Sequence, residues 1–473
     1  MLPDDVLLGI FEFYVDDEDM DAVFEPFERQ RIEEWITLAH VCRRWRSIVF
    51  QSPRRLNLRL LCTPKTPTQD MSDVWPPLPL IIHDPCRNGT SGVDNIVAAL
   101  QHNDRVTQIQ LACFSSSQLG RVTDSTAIRR PFPELTDLRL GGFVYGGLES
   151  ALPILPDSFL GGSAPCLRSL VLYRVPFPGL PKLLLSTTRL VHLNLYYIPP
   201  SGYISPESMA TSLSALTSLE SLRIRFRYPR PRPALEKNRH LTPPPLKRSI
   251  LPNLTLIVFK GACEYLEEIL ARIDAPRLHK MHITFFNQII FDTPQLFQFI
   301  SRRPTLRAPK EGHIAFNSEA IIVRFPSPQT SDYGVLSVEI PCTASEWRLS
   351  SLEQVCTSSL PPLSTLEDFY IFEGRGHPPR WQDDVENTLW LDLLRPFAAA
   401  KSLYLCKKFI PRIAPALQEL VEGRTVEVLP TLENVFLEGF QPSEALHKGI
   451  EKFVDARRLT SRPVAVSRWD KDQ

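Results

Sequence analysis

The sequence predicts an α/β protein: three N-terminal helices, then an irregular solenoid in which a curved parallel sheet carries helices on its convex side. Three observations lead there. Residues 1–55 place apolar side chains at helical spacing on either side of an acidic insert. From residue 106 onward, a short apolar pattern recurs down the chain. Amphipathic stretches follow several of these strand-like runs, and a buried strand layer needs such a covering layer.

The N-terminal region opens with helix-start chemistry. Pro3 has a fixed φ that suits a first turn, and Asp4 and Asp5 lie where the helix dipole favours negative charge. Val6, Leu7, Ile10, Phe11 and Tyr14 then fall at helical spacing. The insert 16–34 holds nine acidic and two basic residues. Beyond it, Trp35, Leu38, Ala39, Cys42, Trp45, Ile48 and Val49 keep one apolar face, which Ser52-Pro53 ends. A segment of roughly 50 residues is near the lower limit for a self-sufficient core. Some of its apolar surface should therefore be left over, as at a partner site.

Two motifs carry a resemblance. One is Leu2-Pro3-x-x-Val6-Leu7-x-x-Ile10-Phe11. The other is Leu38-x-x-Val41-Cys42-Arg43-x-Trp45-Arg46-x-Ile48, followed by Ser52-Pro53-Arg54. Together they resemble an F-box, most closely the filamentous-fungal form, although the acidic insert is longer than usual. The resemblance implies a helical hook that binds the Skp-type adaptor of a cullin ubiquitin ligase. Leu2, Pro3, Val6, Leu7, Ile10, Phe11, Leu38, Val41, Cys42, Trp45 and Ile48 would form the adaptor surface.

Next, Leu56 to Leu60 alternates like a strand, and residues 63–79 are rich in Pro, Thr and Asp. The segment 56–79 is accordingly expected to be a linker. The repeated unit is an apolar residue, two variable ones, a second apolar residue, one variable, and a third apolar residue. It occurs as Val106-Ile109-Leu111, Leu135-Leu138-Leu140, Leu167-Leu170-Leu172, Leu190-Leu193-Leu195 and Leu219-Leu222-Ile224. It continues as Leu254-Ile257-Phe259, Leu278-Met281-Ile283, Leu366-Phe369-Ile371, Ala400-Leu403-Leu405 and Leu432-Val435-Leu437. The pattern resembles the leucine-rich repeat in a long, irregular form, filling residues 80–460. The gap from Leu278 to Leu366 leaves room for two degenerate units. Helices are expected at Pro206 to Leu216, Glu264 to Ile273 and Pro294 to Ile300. Ser443 to Leu459 should form a capping helix with Ser443 as N-cap, followed by a polar, frayed tail at 461–473.

Composition narrows the function. Lys plus Arg equals Asp plus Glu at 53 each, so bulk charge does not point to nucleic acid. No apolar run reaches membrane-spanning length and no basic-then-apolar signal opens the chain, so a cytoplasmic or nuclear location is expected. The nine cysteines form no C-x-x-C pair, which gives neither a zinc site nor a disulfide framework. No G-x-S-x-G, H-E-x-x-H or P-loop is present, and Asp383-Asp384 reads as a loop pair rather than an acid/base couple. No catalytic residue, metal or cofactor is assigned.

Two features read as binding surfaces. The stretch Arg223 to Arg248 carries nine basic residues and one acid, Glu236. It is expected to be a solvated loop, and alternatively a clamp for an acidic or phosphorylated ligand or for nucleic acid, with Arg225, Arg227, Arg230 and Arg232 as the forks. In each repeat unit the variable positions should point away from the core. They yield Arg139, Tyr173, Tyr196, Arg223, Arg225, Tyr370, Tyr404 and Phe436, types common among binding hot spots, as candidate client contacts. The expected protein is therefore a non-catalytic ligase subunit that presents a protein client, with a ligase-independent adaptor-binding scaffold as the alternative.

Overall fold

The computed structural model describes residues 2–15, 34–65, 76–84, 92–142, 152–227, 248–286, 291–307, 309–326, 335–341, 346–358, 360, 363–374, 387–422, 428–439 and 448–469. The chain divides into two compact units, Met1–Leu219 and Glu220–Gln473. Both are mixed α/β.

The first unit begins with α1 (Asp4–Val15), α2 (Glu34–Val41) and α3 (Arg43–Gln51). Cys42 separates the last two. Its backbone is extended, and its thiol sulfur accepts the Trp45 amide at 3.4 Å as the α3 N-cap. Six strands follow: β1 (Leu60–Cys62), β2 (Leu80–His83), β3 (Val106–Phe114), β4 (Asp137–Gly142), β5 (Ser169–Tyr173) and β6 (His192–Ile198). They pair in sequence order and in parallel. Parallel neighbours need crossovers. Here α4 (Val93–Leu100), α5 (Ser116–Asp124) and α6 (Leu180–Leu184) contribute to them. α7 (Pro206–Leu213) follows β6.

Register explains the apolar triplets. Ile109, Leu138, Leu170 and Leu193 are directly paired, as are Leu111, Leu140 and Leu172 with Leu195, and all are buried. Each strand thus buries its second and third anchors in a continuous aliphatic layer. Each such side chain contributes about 1.5–3 kcal/mol of transfer free energy. The segment expected as a linker is partly sheet: Leu60, Leu61 and Cys62 are buried and pair with Leu80, Ile81 and Ile82.

The second unit holds β7 (Ser221–Phe226), β9 (Leu256–Gly261), β11 (Lys280–Phe285), β12 (Glu311–Phe316), β13 (Ala320–Phe325), β14 (Leu336–Pro341), β15 (Asp368–Glu373), β16 (Ser402–Leu405), β17 (Asn434–Glu438) and β18 (Ala465–Trp469). β8 (Ser249–Ile250) and β10 (Ile273–Asp274) form a separate short parallel pair. The main order is β7-β9-β11-β14-β13-β12-β15-β16-β17-β18. Helices α8 (Cys263–Leu270), α9 (Pro294–Ser301), α10 (Pro304–Arg307), α11 (Glu346–Ser358), α12 (Asn387–Leu394), α13 (Ile410–Glu422) and α14 (Lys448–Leu459) lie between the strands in sequence.

The stretch expected to hold two degenerate repeat units is a meander instead. β12 pairs antiparallel with β13, and β13 antiparallel with β14, which returns to β11. Asn317 drives the reversal: its Oδ1 accepts the amides of Glu319 at 2.9 Å and Ala320 at 2.6 Å, an Asx turn. The expected frayed tail also differs, since β18 pairs in parallel with β17 along Asn434–Glu438. The capping helix is described over Lys448–Leu459 and buries Ile450 and Phe453; Ser443 and Leu446 lie outside the described residues. Arg457 is buried and donates to the carbonyls of Val428 and Leu429, tying this helix to the segment before β17.

Candidate interaction surfaces

Neighbouring residues of α1 have opposite fates. At about 100° per residue, Leu7, Leu8 and Phe11 share one face and are buried. Phe11 packs against Trp45 with ring centroids 4.7 Å apart. The other face carries Val6, Ile10, Phe13 and Tyr14, and Leu2 precedes the helix; all five are exposed, with Ile10 at 50% and Phe13 at 89%. Val6, Ile10 and Tyr14 are spaced four apart on the helix, so they form one stripe, with Leu2 just ahead of it in the chain. Val41, at the end of α2, is also exposed.

Polar clamps hold this stripe in place. Arg44 Nε donates to Asp4 Oδ1 at 2.9 Å and its Nη2 to the Leu2 carbonyl at 2.6 Å, joining α3 to the start of α1. Arg55 Nη2 reaches Glu12 Oε2 at 2.9 Å. Trp35 is fully buried, with its indole donating to the Arg59 carbonyl at 2.9 Å.

The expected adaptor residues therefore divide. Leu2, Pro3, Val6, Ile10, Val41 and Cys42 are exposed, and Trp45 is half-buried. Leu7, Phe11, Leu38 and Ile48 are core residues, a correction to their expected place on the surface. So small a domain must spend part of its apolar surface on its own interior. Phe13 was missed, although its offset of three from Ile10 was available as a signal.

The sheets offer two further faces. In the first unit, Gln110, Arg139, Val171 and Asn194 share a register line, with Tyr173 paired to Tyr196 beside it. Arg139 Nε and Asn194 Oδ1 are buried without a hydrogen-bond partner. Arg174 lies 5.5 and 5.7 Å from the Tyr173 and Tyr197 ring centres, and both Arg174 and Tyr197 adopt positive φ.

In the second unit one register line runs Arg223, Val258, His282, Ser337, Arg324, His313, Tyr370, Tyr404 and Phe436. One end is cationic. Arg225, Lys260 and Lys280 flank it there. Burial depresses the His282 imidazole, and Lys280, Arg223, Arg225 and Arg324 depress it further. The His313 imidazole is also lowered by burial, against the opposing pull of Glu311, whose Oε1 is 2.6 Å from Nε2. The other end is aromatic. Tyr370 stacks on Tyr404 at 4.0 Å, and Tyr404 on Phe436 at 4.5 Å, with interplanar angles of 9° and 6°. Trp469 stands edge-on to both tyrosines at 5.8 Å. Burial and a hydrogen bond with Tyr404 raise the Tyr370 phenol.

Tyr173, Tyr196, Arg223, Arg225, Tyr370, Tyr404, Phe436 and Arg139 thus lie on sheet faces away from the aliphatic layer, Tyr173 exposed and the others half-buried. Arg230, Arg232 and Asp383-Asp384 lie outside the described residues. Among the described residues no group of His, Cys, Asp and Glu could hold a metal ion, and no helix is long and apolar enough to cross a membrane.

No curated protein matches the chain. The F-box-like family model matches residues 1–58, the stretch that holds α1 to α3 with their exposed stripe. The chain therefore carries an F-box-like domain at its N-terminal end.

Proposed function

We propose that this protein is the client-recognition subunit of a cullin-type ubiquitin ligase, working in the cytoplasm or nucleus. The exposed apolar residues Leu2, Val6, Ile10, Phe13 and Tyr14 within an F-box-like domain carry this reading. A contiguous apolar strip on a small helical domain is costly in water and is covered when a partner docks. A Skp-type adaptor is the partner an F-box implies, and through it a cullin. The strand-and-helix succession supports an irregular leucine-rich-repeat array, interrupted by the β13 reversal. Its sheet faces would hold a protein client. The chemistry is recruitment: holding client and ligase together raises the effective concentration for ubiquitin transfer.

Adaptor capture tests the proposal. Val6→Asp combined with Ile10→Asp places two charges on the exposed stripe and none in the core. The double variant should lose adaptor co-purification while its circular dichroism and melting temperature stay close to wild type. Undiminished capture by a folded double variant would refute the assignment of this face.

A further inference from the structure

We propose that the sheet face of the second unit takes an extended acidic client segment, with carboxylates on Lys260, Lys280 and Arg324 and an apolar side chain against Tyr370, Tyr404 and Trp469. The proposal rests on the client-receptor reading and names the chemistry of the client. Lys260, Lys280 and Arg324 project from β9, β11 and β13 on the face opposite the aliphatic layer. Among the described residues none of the three is in an ion pair. Arg324 Nε is buried without a hydrogen-bond partner. Acids of the same face lie on other strands: Glu339 on β14 accepts from the Thr284 hydroxyl at 3.2 Å, Glu311 on β12 meets His313, Asp368 is on β15, and Glu438 on β17 accepts the Lys407 amide at 3.0 Å. On this face β7, β9, β11 and β13 carry Arg223, Arg225, Lys260, Lys280 and Arg324 and no acid.

Spacing selects the ligand. From the register, with about 4.8 Å between strands and 3.3 Å per residue, the Cα atoms of the three cations lie roughly 12–16 Å apart. Such a spread suits separate acidic groups better than the clustered forks that typify phosphate recognition. Carboxylates distributed along an extended chain match the three cations. The aromatic end argues against single-stranded nucleic acid. Tyr404 is sandwiched between Tyr370 and Phe436, so both of its π-faces are occupied and it cannot take a base. The stacked rings present ring edges, the positive part of the quadrupole, which suit carbonyl oxygens and the flanks of an apolar side chain. From Arg223 to Phe436 the register line crosses eight strand steps, about 38 Å, the length of an extended segment of roughly a dozen residues.

Fluorescence anisotropy with the full chain and a labelled twelve-residue peptide tests this. The peptide alternates Glu with Ser and ends in two Leu. Comparison probes are the same peptide with Lys for Glu, one with a single phosphoserine and no Glu, and a twelve-nucleotide RNA. The Glu peptide should bind best, and added salt should weaken it. Lys260→Glu with Lys280→Glu should weaken it by roughly tenfold or more, and Tyr404→Ala should do so independently. Adaptor capture should be unchanged in both variants. Preference for the phosphoserine peptide or the RNA, or equal binding by the Lys260/Lys280 variant, would overturn the proposal. A chain that captures adaptor but ignores the Glu peptide sinks this inference alone. A chain that binds the peptide by these residues but captures no adaptor sinks the ligase reading alone.

Discussion

Ile10 and Phe11 are adjacent in sequence and opposite in burial, so a pair of alanine substitutions separates core packing from the proposed adaptor contact. Phe11 is completely buried, and its ring lies 4.7 Å from that of Trp45 at an interplanar angle of 58°. Removing it takes away the transfer free energy of the ring and leaves a cavity between α1 and α3, a loss of about 3–5 kcal/mol. The lost aromatic pair adds roughly 0.5–1.5 kcal/mol. Domains are stable by only about 5–15 kcal/mol, and one near 58 residues sits at the lower end. Phe11→Ala should therefore unfold the N-terminal helices or lower their melting transition sharply. Ile10 is half exposed, so truncation to Ala removes little that folding had buried, within about 1 kcal/mol. If the adaptor covers Ile10, the same truncation should cost binding about 1–2 kcal/mol, some five- to thirtyfold in Kd. Differential scanning fluorimetry and calorimetric titration with a Skp-type adaptor read the two effects. Loss of stability in Ile10→Ala with none in Phe11→Ala would refute the assignment of faces. Wild-type adaptor affinity in Ile10→Ala would refute its place in the interface.

Two further outcomes follow from packing in the second unit. Glu267 on α8 accepts the amides of Gln295 and Leu296 at 2.8 and 2.7 Å at the start of α9, yet burial raises its carboxyl to about 7, with Asp292 adding to the rise against those amides. The folded state then holds this proton more tightly than the unfolded chain. Its contribution is present below the unfolded pKa and is lost as pH rises from about 4.5 to about 7; urea unfolding of Glu267→Gln should show a flatter stability profile over that window than wild type. A Cβ on Gly449 would meet the Ala414 carbonyl oxygen at 2.5 Å, so α13 and α14 approach too closely for a side chain there. Gly449→Ala should cost about 1–3 kcal/mol by overpacking, seen as a lower melting temperature despite Ala being the better helix former.

Much of the fold was legible because its signals are local. The triplets predicted strands at Val106, Leu135, Leu167 and Leu190, and each proves to be a parallel strand whose second and third anchors are buried. Expected helices at Pro206, Glu264 and Pro294 appear as Pro206–Leu213, Cys263–Leu270 and Pro294–Ser301. The meander was not legible as such, since alternation in Ala320–Phe325 reads the same in a parallel or an antiparallel strand. β18 was missed because Ala465–Trp469 is mostly exposed and supplies little apolar pattern. The site was half legible: periodicity indicated which N-terminal residues were apolar, while the division into core and surface depended on where α2 and α3 packed.

From the chain alone come the alternation of strand and helix, the aliphatic anchors and the F-box-like pattern, because backbone periods of 2 and 3.6 impose them residue by residue. Tertiary structure decided the rest. It turned Phe11 inward and Ile10 outward, and it set Met281 beside Leu336 across 55 residues of chain. It also put Arg324 and Tyr370 on one line of the sheet. Such pairings link distant segments, and their free energy is realised only once the strands are assembled, so no local window of sequence contains them.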